Sequence, residues 1–192
     1  MEKLLLFIIK KFPKGSIWQT RYICLPAAIV FSTIALMNPS LAVGSRVLWF
    51  IFGLGVWTFL EYVLHRWILH WNPKNFIFHA IIKRLHIFHH EDPSDQTQVC
   101  IPFILSGSFW ILVYGVAIYF FGAHHVKGFL VISAIFLMMT VYDIAHYSAH
   151  YMPAYQSWVK FLKKHHMLHH FSDHTKRFGV TSPLWDYVFG TL

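Results

Sequence analysis

Four long apolar stretches alternate with shorter polar segments along this chain. They run from Tyr22 to Met37, Val47 to Leu64, Ile101 to Gly122 and Gly128 to Ala145. A bilayer core about 30 Å thick is crossed by roughly 20 apolar residues of helix, so each stretch predicts a membrane span. The pattern therefore predicts an all-α integral membrane protein with four transmembrane helices in two pairs.

The segment before the first span, residues 1–21, mixes apolar and basic residues. Its apolar run is interrupted by Lys10 and Lys11, which is not typical of a signal peptide. We expect a short amphipathic helix on the membrane surface here. A single membrane domain over residues 22–192 is expected to follow.

Composition and charge give the orientation of the predicted spans. The chain is 56% hydrophobic and only 12% charged, which excludes an ordinary soluble domain. Nearly all Lys and Arg residues lie before span one, between spans two and three, or after span four; the exceptions are Arg46 and Lys127. The positive-inside rule then places both termini and the central segment in the cytoplasm. The net charge of +8 indicates a face against anionic lipid headgroups, and nucleic-acid binding is not expected.

Ten of the fifteen histidines form four groups at the predicted cytoplasmic ends of the spans. The groups are His65 and His70; His86, His89 and His90; His146 and His150; and His166, His169 and His170. Residues three or four apart share a helical face, so His146 can converge with His150. His166 can likewise converge with His169 or with His170.

Adjacent and five-apart histidines are expected to behave differently from these pairs. Neighbours diverge by about 100° around a helix, so His89 and His90 can serve two adjacent metal ions. His65 and His70 are expected to diverge as well, which suits two ions or a frayed helix end.

The chain also repeats its histidine pattern. A shift of 80 residues brings His70, His86, His89 and His90 onto His150, His166, His169 and His170, and Lys83 with Arg84 onto Lys163 with Lys164. The halves, roughly 22–100 and 101–192, then form a parallel repeat about a pseudo-twofold axis along the membrane normal. We expect the ten histidines to meet at this axis in a cytoplasmic helical cap, with the basic pairs facing the membrane or a redox partner.

Ten neutral imidazoles without a Cys ligand favour first-row transition metals, and iron, zinc and copper all fit. A closed structural zinc site takes four ligands, so ten indicate two ions with five ligands each and an open position on each. Nearby carboxylates are predicted to orient the ligands by accepting their N–H groups rather than to bind metal. These carboxylates are Glu61, Asp143 and Asp186.

The remaining five histidines are not predicted ligands. His124 and His125 lie on the opposite loop, and His79, His165 and His174 fall outside the repeat. His165 competes with its neighbour His166, but only His166 preserves the HxxHH spacing.

Four segments resemble the sterol desaturase and fatty acid hydroxylase superfamily, most closely its fatty acid 2-hydroxylase branch: EYVLHRWILH, RLHIFHHEDPSD, YDIAHYSAH and KKHHMLHHFSDHTKRFGVTSPLWDYVFGTL. The resemblance covers roughly Glu61 to Leu192. It implies a dinuclear site, taken as di-iron with zinc as a possible replacement, that activates O2 and hydroxylates a C–H bond of a membrane lipid. The ligands of the family fall on the ten histidines selected above.

The resemblance also implies an external electron donor. Eukaryotic members often carry a fused haem domain, but residues 1–21 are not expected to hold one, and no GxGxxG fingerprint is present. A separate redox protein docking on the basic cytoplasmic face is therefore expected. The terminal segment with Trp185 and Phe189 is expected to pack over the histidines.

Fatty acyl 2-hydroxylation is the preferred function, and two alternatives stay open at this point. A lipid or sterol desaturase would use the same metal site, and spacing does not separate the two reactions. A histidine-rich metal transporter would place ligands near the bilayer midplane and polar residues along its spans, unlike the pattern here. A zinc membrane protease is disfavoured because the chain contains no HExxH motif.

Overall fold

The computed structural model describes residues 7, 15–16, 18, 20–101, 113–116, 119–120 and 125–192. The regular secondary structure of these residues is helical. Three helices are long and apolar enough to cross a membrane, namely Thr20–Met37, Val43–Leu69 and Val126–Tyr151. They confirm the first, second and fourth predicted spans and extend each of them. Most of the predicted third span and most of residues 1–21 lie outside the described residues.

The described part of the first half contains three longer helices and a single 3-10 turn, Gln96–Gln98. Helix α1 is Thr20–Met37 and helix α2 is Val43–Leu69. Helix α3 is short and consists of Phe76–Ile82, Lys83–Ile87 and Phe88–Glu91 in succession. The side chain of Asn75 caps α3 by accepting from the N–H groups of its first turn, which have no partner within the helix.

The second half contributes helices α4, His125–Tyr151, α5, Ser157–Phe171, and the short α6, Leu184–Val188. Helix α4 packs along both α1 and α2. The buried side chains of Trp57, Val131 and Ile135 form an apolar core between α2 and α4.

Arg46 closes the connection between α1 and α2. Its guanidinium donates to the backbone carbonyls of Leu36 at 2.9 Å, Asn38 at 2.7 Å and Leu41 at 2.8 Å. The last carbonyls of a helix have no intrahelical partner, so one side chain satisfies the end of α1 and the loop that follows it.

Gly53 allows α2 and α4 to approach each other closely. A Cβ atom at Gly53 would lie 2.7 Å from the Cβ of Ala134 and 2.8 Å from the carbonyl oxygen of Val131. Gly55, two residues further along α2, has open space at the same position. Substitution of Gly53 therefore tests helix packing, whereas substitution of Gly55 tests helix propensity alone.

We expect Gly53→Ala to destabilise the protein by about 1–3 kcal/mol, because the added methyl group overpacks the interface between α2 and α4. Gly55→Ala is the matched control and should be neutral or stabilising by about 0.5–1 kcal/mol, since alanine favours the helix. Thermal unfolding of the detergent-solubilised variants measures both. Equal effects of the two substitutions would contradict a close contact at Gly53.

Candidate metal centre

The ten predicted histidines come together as two clusters of five. The first cluster contains His65, His70, His86, His90 and His169. The second cluster contains His89, His146, His150, His166 and His170. Within each cluster one ring nitrogen from every histidine lies within 4.8 Å of the others, so each cluster could hold a metal ion.

Each cluster takes four histidines from one half of the chain and one from the other half. His89 on α3 belongs to the second cluster, while its neighbour His90 belongs to the first. On α5, His169 belongs to the first cluster and its neighbour His170 to the second. Neighbours diverge around a helix, as the HxxHH spacing predicts, and they point into different clusters.

The sequence left open whether His166 converges with His169 or with His170. Its ring lies in the second cluster with His170, four residues away, and His169 faces the first cluster. The same spacing of four residues joins His86 and His90 in the first cluster. In both halves, therefore, the outer two histidines of HxxHH share a cluster and the middle one crosses to the other.

The expectation that His65 and His70 diverge is wrong. The end of α2, Leu64–Leu69, is a π-helix, and the N–H of His70 donates to the carbonyl of His65 at 3.3 Å. Because this wider turn bonds residues five apart, it returns the chain to the same face after five residues. Both imidazoles consequently point into the first cluster.

Neighbouring ring nitrogens in each cluster lie about as far apart as two nitrogens bound to one metal ion. The Nε2 atom of His86 lies 2.9 Å from Nε2 of His90, and Nε2 of His89 lies 3.0 Å from Nε2 of His146. Two metal–nitrogen bonds of about 2.1 Å separate their nitrogens by about 3.0 Å at a right angle and by about 3.4 Å at the tetrahedral angle. Right angles between neighbouring ligands are typical of ions with five or six ligands.

The imidazoles are held in the neutral form that binds metals. Burial, with the neighbouring ring of His169, lowers the pKa of His70 to about 3. Burial also lowers the pKa of His89 to about 3 and that of His169 to about 4. At neutral pH these rings therefore present unprotonated nitrogens to the cluster.

Backbone carbonyls of the C-terminal segment, defined here as residues 176–191, orient two imidazoles of the first cluster. The Nδ1–H of His65 donates to the carbonyl of Phe178 at 2.5 Å, and that of His169 donates to the carbonyl of Lys176 at 2.6 Å. Each bond fixes the tautomer, which leaves Nε2 free for a metal. The ring of Phe178 packs edge-on against His65 and His169 and keeps this side of the cluster apolar.

Two of the three predicted carboxylates, Glu61 and Asp186, bond to this segment rather than directly to the ten histidines. Glu61 accepts from the N–H groups of Val180 and Thr181 and from the Thr181 hydroxyl. Asp186, which is fully buried, accepts from the N–H groups of Phe178 and Gly179, each at 2.8 Å.

Asp143 bonds instead to the hydroxyl of Thr20 at the start of α1. Among the described contacts, only Asp186 reaches a clustered imidazole through the segment: its carboxylate accepts from the N–H of Phe178, and the carbonyl of Phe178 accepts from His65.

His165 lies outside both clusters, as predicted, and has a different partner. Its Nε2 is 3.0 Å from the carboxylate of Asp186, and both side chains are buried. Burial alone would raise the pKa of Asp186, but bonds from His165, Gly179, Thr191 and Phe178 lower it overall. His79 and His174 also lie outside the clusters, and His124 lies outside the described residues.

The first basic pair and the terminal aromatic residues both differ from expectation. Arg84 is buried and Lys83 pairs with Glu91 at 2.7 Å, so the first basic pair is not a free cationic face. Trp185 packs against Phe59, and its indole N–H donates to Thr58 on α2. Phe178, rather than Trp185 or Phe189, is the aromatic ring of the C-terminal segment that contacts the histidines.

Sequence analysis missed the carbonyls of Lys176 and Phe178 because a backbone acceptor has no side-chain signal. A weak signal does exist at Gly179, where a Cβ atom would lie 2.0 Å from the carbonyl oxygen of Ser182 and 3.0 Å from Asp186. The segment must therefore turn tightly at this residue.

The fatty acid hydroxylase family model matches residues 50–191. Dihydroceramide fatty acyl 2-hydroxylase FAH1 of Arabidopsis thaliana is 34% identical over 74% of this chain and 59% of its own length. Ceramide very long chain fatty acid hydroxylase SCS7 of Saccharomyces cerevisiae is 30% identical over 95% of this chain and 47% of its own length. The chain thus spans about half the length of these two relatives.

A solved structure of full-length scs7p, in which only the hydroxylase domain is visible, superimposes with a TM-score of 0.79 at 30% identity. The match covers 93% of this chain and 67% of that one. Together with the family model over residues 50–191, these similarities show that the chain belongs to the fatty acid hydroxylase family.

Proposed function

We propose that this protein is a membrane-bound lipid hydroxylase that adds a hydroxyl group at carbon 2 of a fatty acyl chain. The observation that carries the proposal is the pair of interleaved five-histidine clusters at the ends of the apolar helices α2 and α4. The names of the plant relative, a dihydroceramide fatty acyl 2-hydroxylase, and of the mouse relative, a fatty acid 2-hydroxylase, support this choice of substrate and carbon.

The ten histidines are proposed as the ligands of two metal ions, with iron expected and zinc possible from the donor set. Bound there, the ions supply O2 activation at the membrane surface. The reaction consumes one C–H bond, one O2, two electrons and two protons, and it forms one C–OH group and one water molecule. The two electrons come from a separate redox protein.

Residues of the chain hold and shield this chemistry. His65 and His169 are oriented through their Nδ1–H groups by the C-terminal segment. Phe178 excludes water from one side of the first cluster because its buried ring covers the imidazoles. The acyl chain enters laterally from the bilayer along the apolar spans that end at the clusters, since a hydrocarbon tail stays in the lipid phase at no cost in desolvation.

The proposal includes the topology. A fourth span over residues 101–122 would complete two helical pairs, and the excess of Lys and Arg places both termini and the clusters on the cytoplasmic side. Residues 22–192 then form one domain built from a duplicated unit, as the 80-residue repeat supports, with residues 1–21 on the membrane surface.

His166→Ala should remove the ion of the second cluster and lipid hydroxylation together, because His166 is fully buried in that cluster. Metal per protein by plasma mass spectrometry and product by lipid mass spectrometry measure the two effects. His79→Ala is the matched control on α3, outside both clusters, and should leave both unchanged. A His166→Ala variant with full activity and an emptied site would contradict the proposal.

The product distinguishes hydroxylation from desaturation. With an acyl chain deuterated at carbon 2 and isotopically labelled O2, we expect loss of one deuterium and gain of one labelled oxygen atom. A desaturase, which the names of the relatives do not favour, would instead remove two hydrogens and leave no label in the lipid. Mass spectrometry of lipids extracted from membranes that contain the protein gives the answer.

A basic docking site for the donor predicts a dependence on ionic strength. Lys160 and Lys164 are exposed on α5, and Lys160→Glu with Lys164→Glu should slow turnover with a reduced ferredoxin at low salt. Added salt should slow the wild type more than this variant, because it screens the attraction that the variant lacks. Lys127→Glu, on the predicted opposite side, is the control. Identical salt profiles for wild type and variant would contradict docking at α5.

A further inference from the structure

The two clusters differ in how their imidazoles are supported from outside. In the first cluster, two Nδ1–H groups have backbone acceptors in the C-terminal segment, at Phe178 and Lys176. In the second cluster, buried Nδ1 atoms have no partner among the residues that the structure describes; they belong to His89, His146, His166 and His170. The two clusters therefore differ in their backbone support, although eight of their ten histidines coincide under the 80-residue shift.

The corresponding part of the first half makes different contacts. Under the 80-residue shift, Lys176 and Phe178 correspond to Gln96 and Gln98, in the segment that follows HxxHH of the first half. There, Asp95 accepts from the backbone N–H of Thr97 and from the side-chain amide of Gln98. Its Pro93 carbonyl accepts from Tyr151 at 2.6 Å rather than from an imidazole.

The C-terminal segment, by contrast, is fastened at several points. Glu61 holds Val180 and Thr181 from α2, and Asp186 holds Phe178 and Gly179. Charge-assisted bonds to a buried carboxylate are stronger than neutral ones, so Asp186 holds the backbone of Phe178 firmly in place.

We propose that the two metal sites are not equivalent, and that the C-terminal segment is a clamp that makes the first cluster the tighter site. The proposal rests on the proposed function, since it takes the ten histidines as ligands of two ions. An imidazole that donates its second N–H to a fixed acceptor is a more basic and better oriented ligand, and such acceptors change metal affinity by about 10- to 100-fold. Asp186, Glu61 and Thr181 are positioning residues in this scheme, because they act through the backbone of the segment.

The test is stepwise metal removal from the purified full chain. Protein loaded with zinc is mixed with EDTA, and metal per protein is followed over time by plasma mass spectrometry. We expect two phases for the wild type, one ion leaving about tenfold or more faster than the other. Asp186→Asn should accelerate the slow phase by about 10- to 100-fold and leave the fast phase unchanged.

Two further variants guard against a simple loss of fold. Thr181→Val removes one hydroxyl bond to Glu61 while keeping the shape of the side chain, and should accelerate the same slow phase to a smaller degree. Asp173→Asn is the control, since Asp173 lies just before the C-terminal segment and its carboxylate accepts from the N–H and the hydroxyl of Thr175. It should leave both phases unchanged.

Each outcome has a distinct meaning. Loss of both ions in one phase from the wild type, or acceleration of the fast phase alone by Asp186→Asn and Thr181→Val, overturns the clamp while leaving the proposed function intact. A wild-type protein that binds fewer than two ions overturns the dimetal centre itself.

Discussion

The fold depends on turning ten neutral imidazoles inward so that neighbouring Nε2 atoms lie about 3 Å apart. Buried nitrogens that face each other without enough hydrogens to share are unfavourable, so the helices that carry them must be held together by other contacts. Part of this stabilisation comes from the apolar interface between α2 and α4, at Gly53 and Trp57. The carboxylates of Glu61 and Asp186 supply another part at the C-terminal segment.

Much of this arrangement was predictable because the spacing of residues along a helix determines which side chains share a face. Apolar length predicted α1, α2 and α4, and the HxxHH spacing predicted that neighbouring histidines face two different points. The 80-residue shift also separated eight of the ten clustered histidines from the other five. These features depend on helix geometry, which the order of residues determines directly.

Other features were outside the reach of periodicity. An α-helical frame separates His65 from His70, and only the π-helical end of α2 brings them together. The choice of His170 over His169 as the partner of His166 depends on where the two helices cross, which spacing does not encode. Arg84 resembles Lys164 in the repeat but is buried, since a shared sequence position does not guarantee a shared environment.

The crossing of His89 and His169 makes the two halves of the chain depend on each other. Either half alone carries only four of the five imidazoles of its own cluster. Each half of the chain thus supplies the fifth histidine of the other half's cluster, as the subunits of a dimer do when they share a site. A half that misfolds leaves both centres incomplete, so the chain has no half-assembled state with one intact cluster.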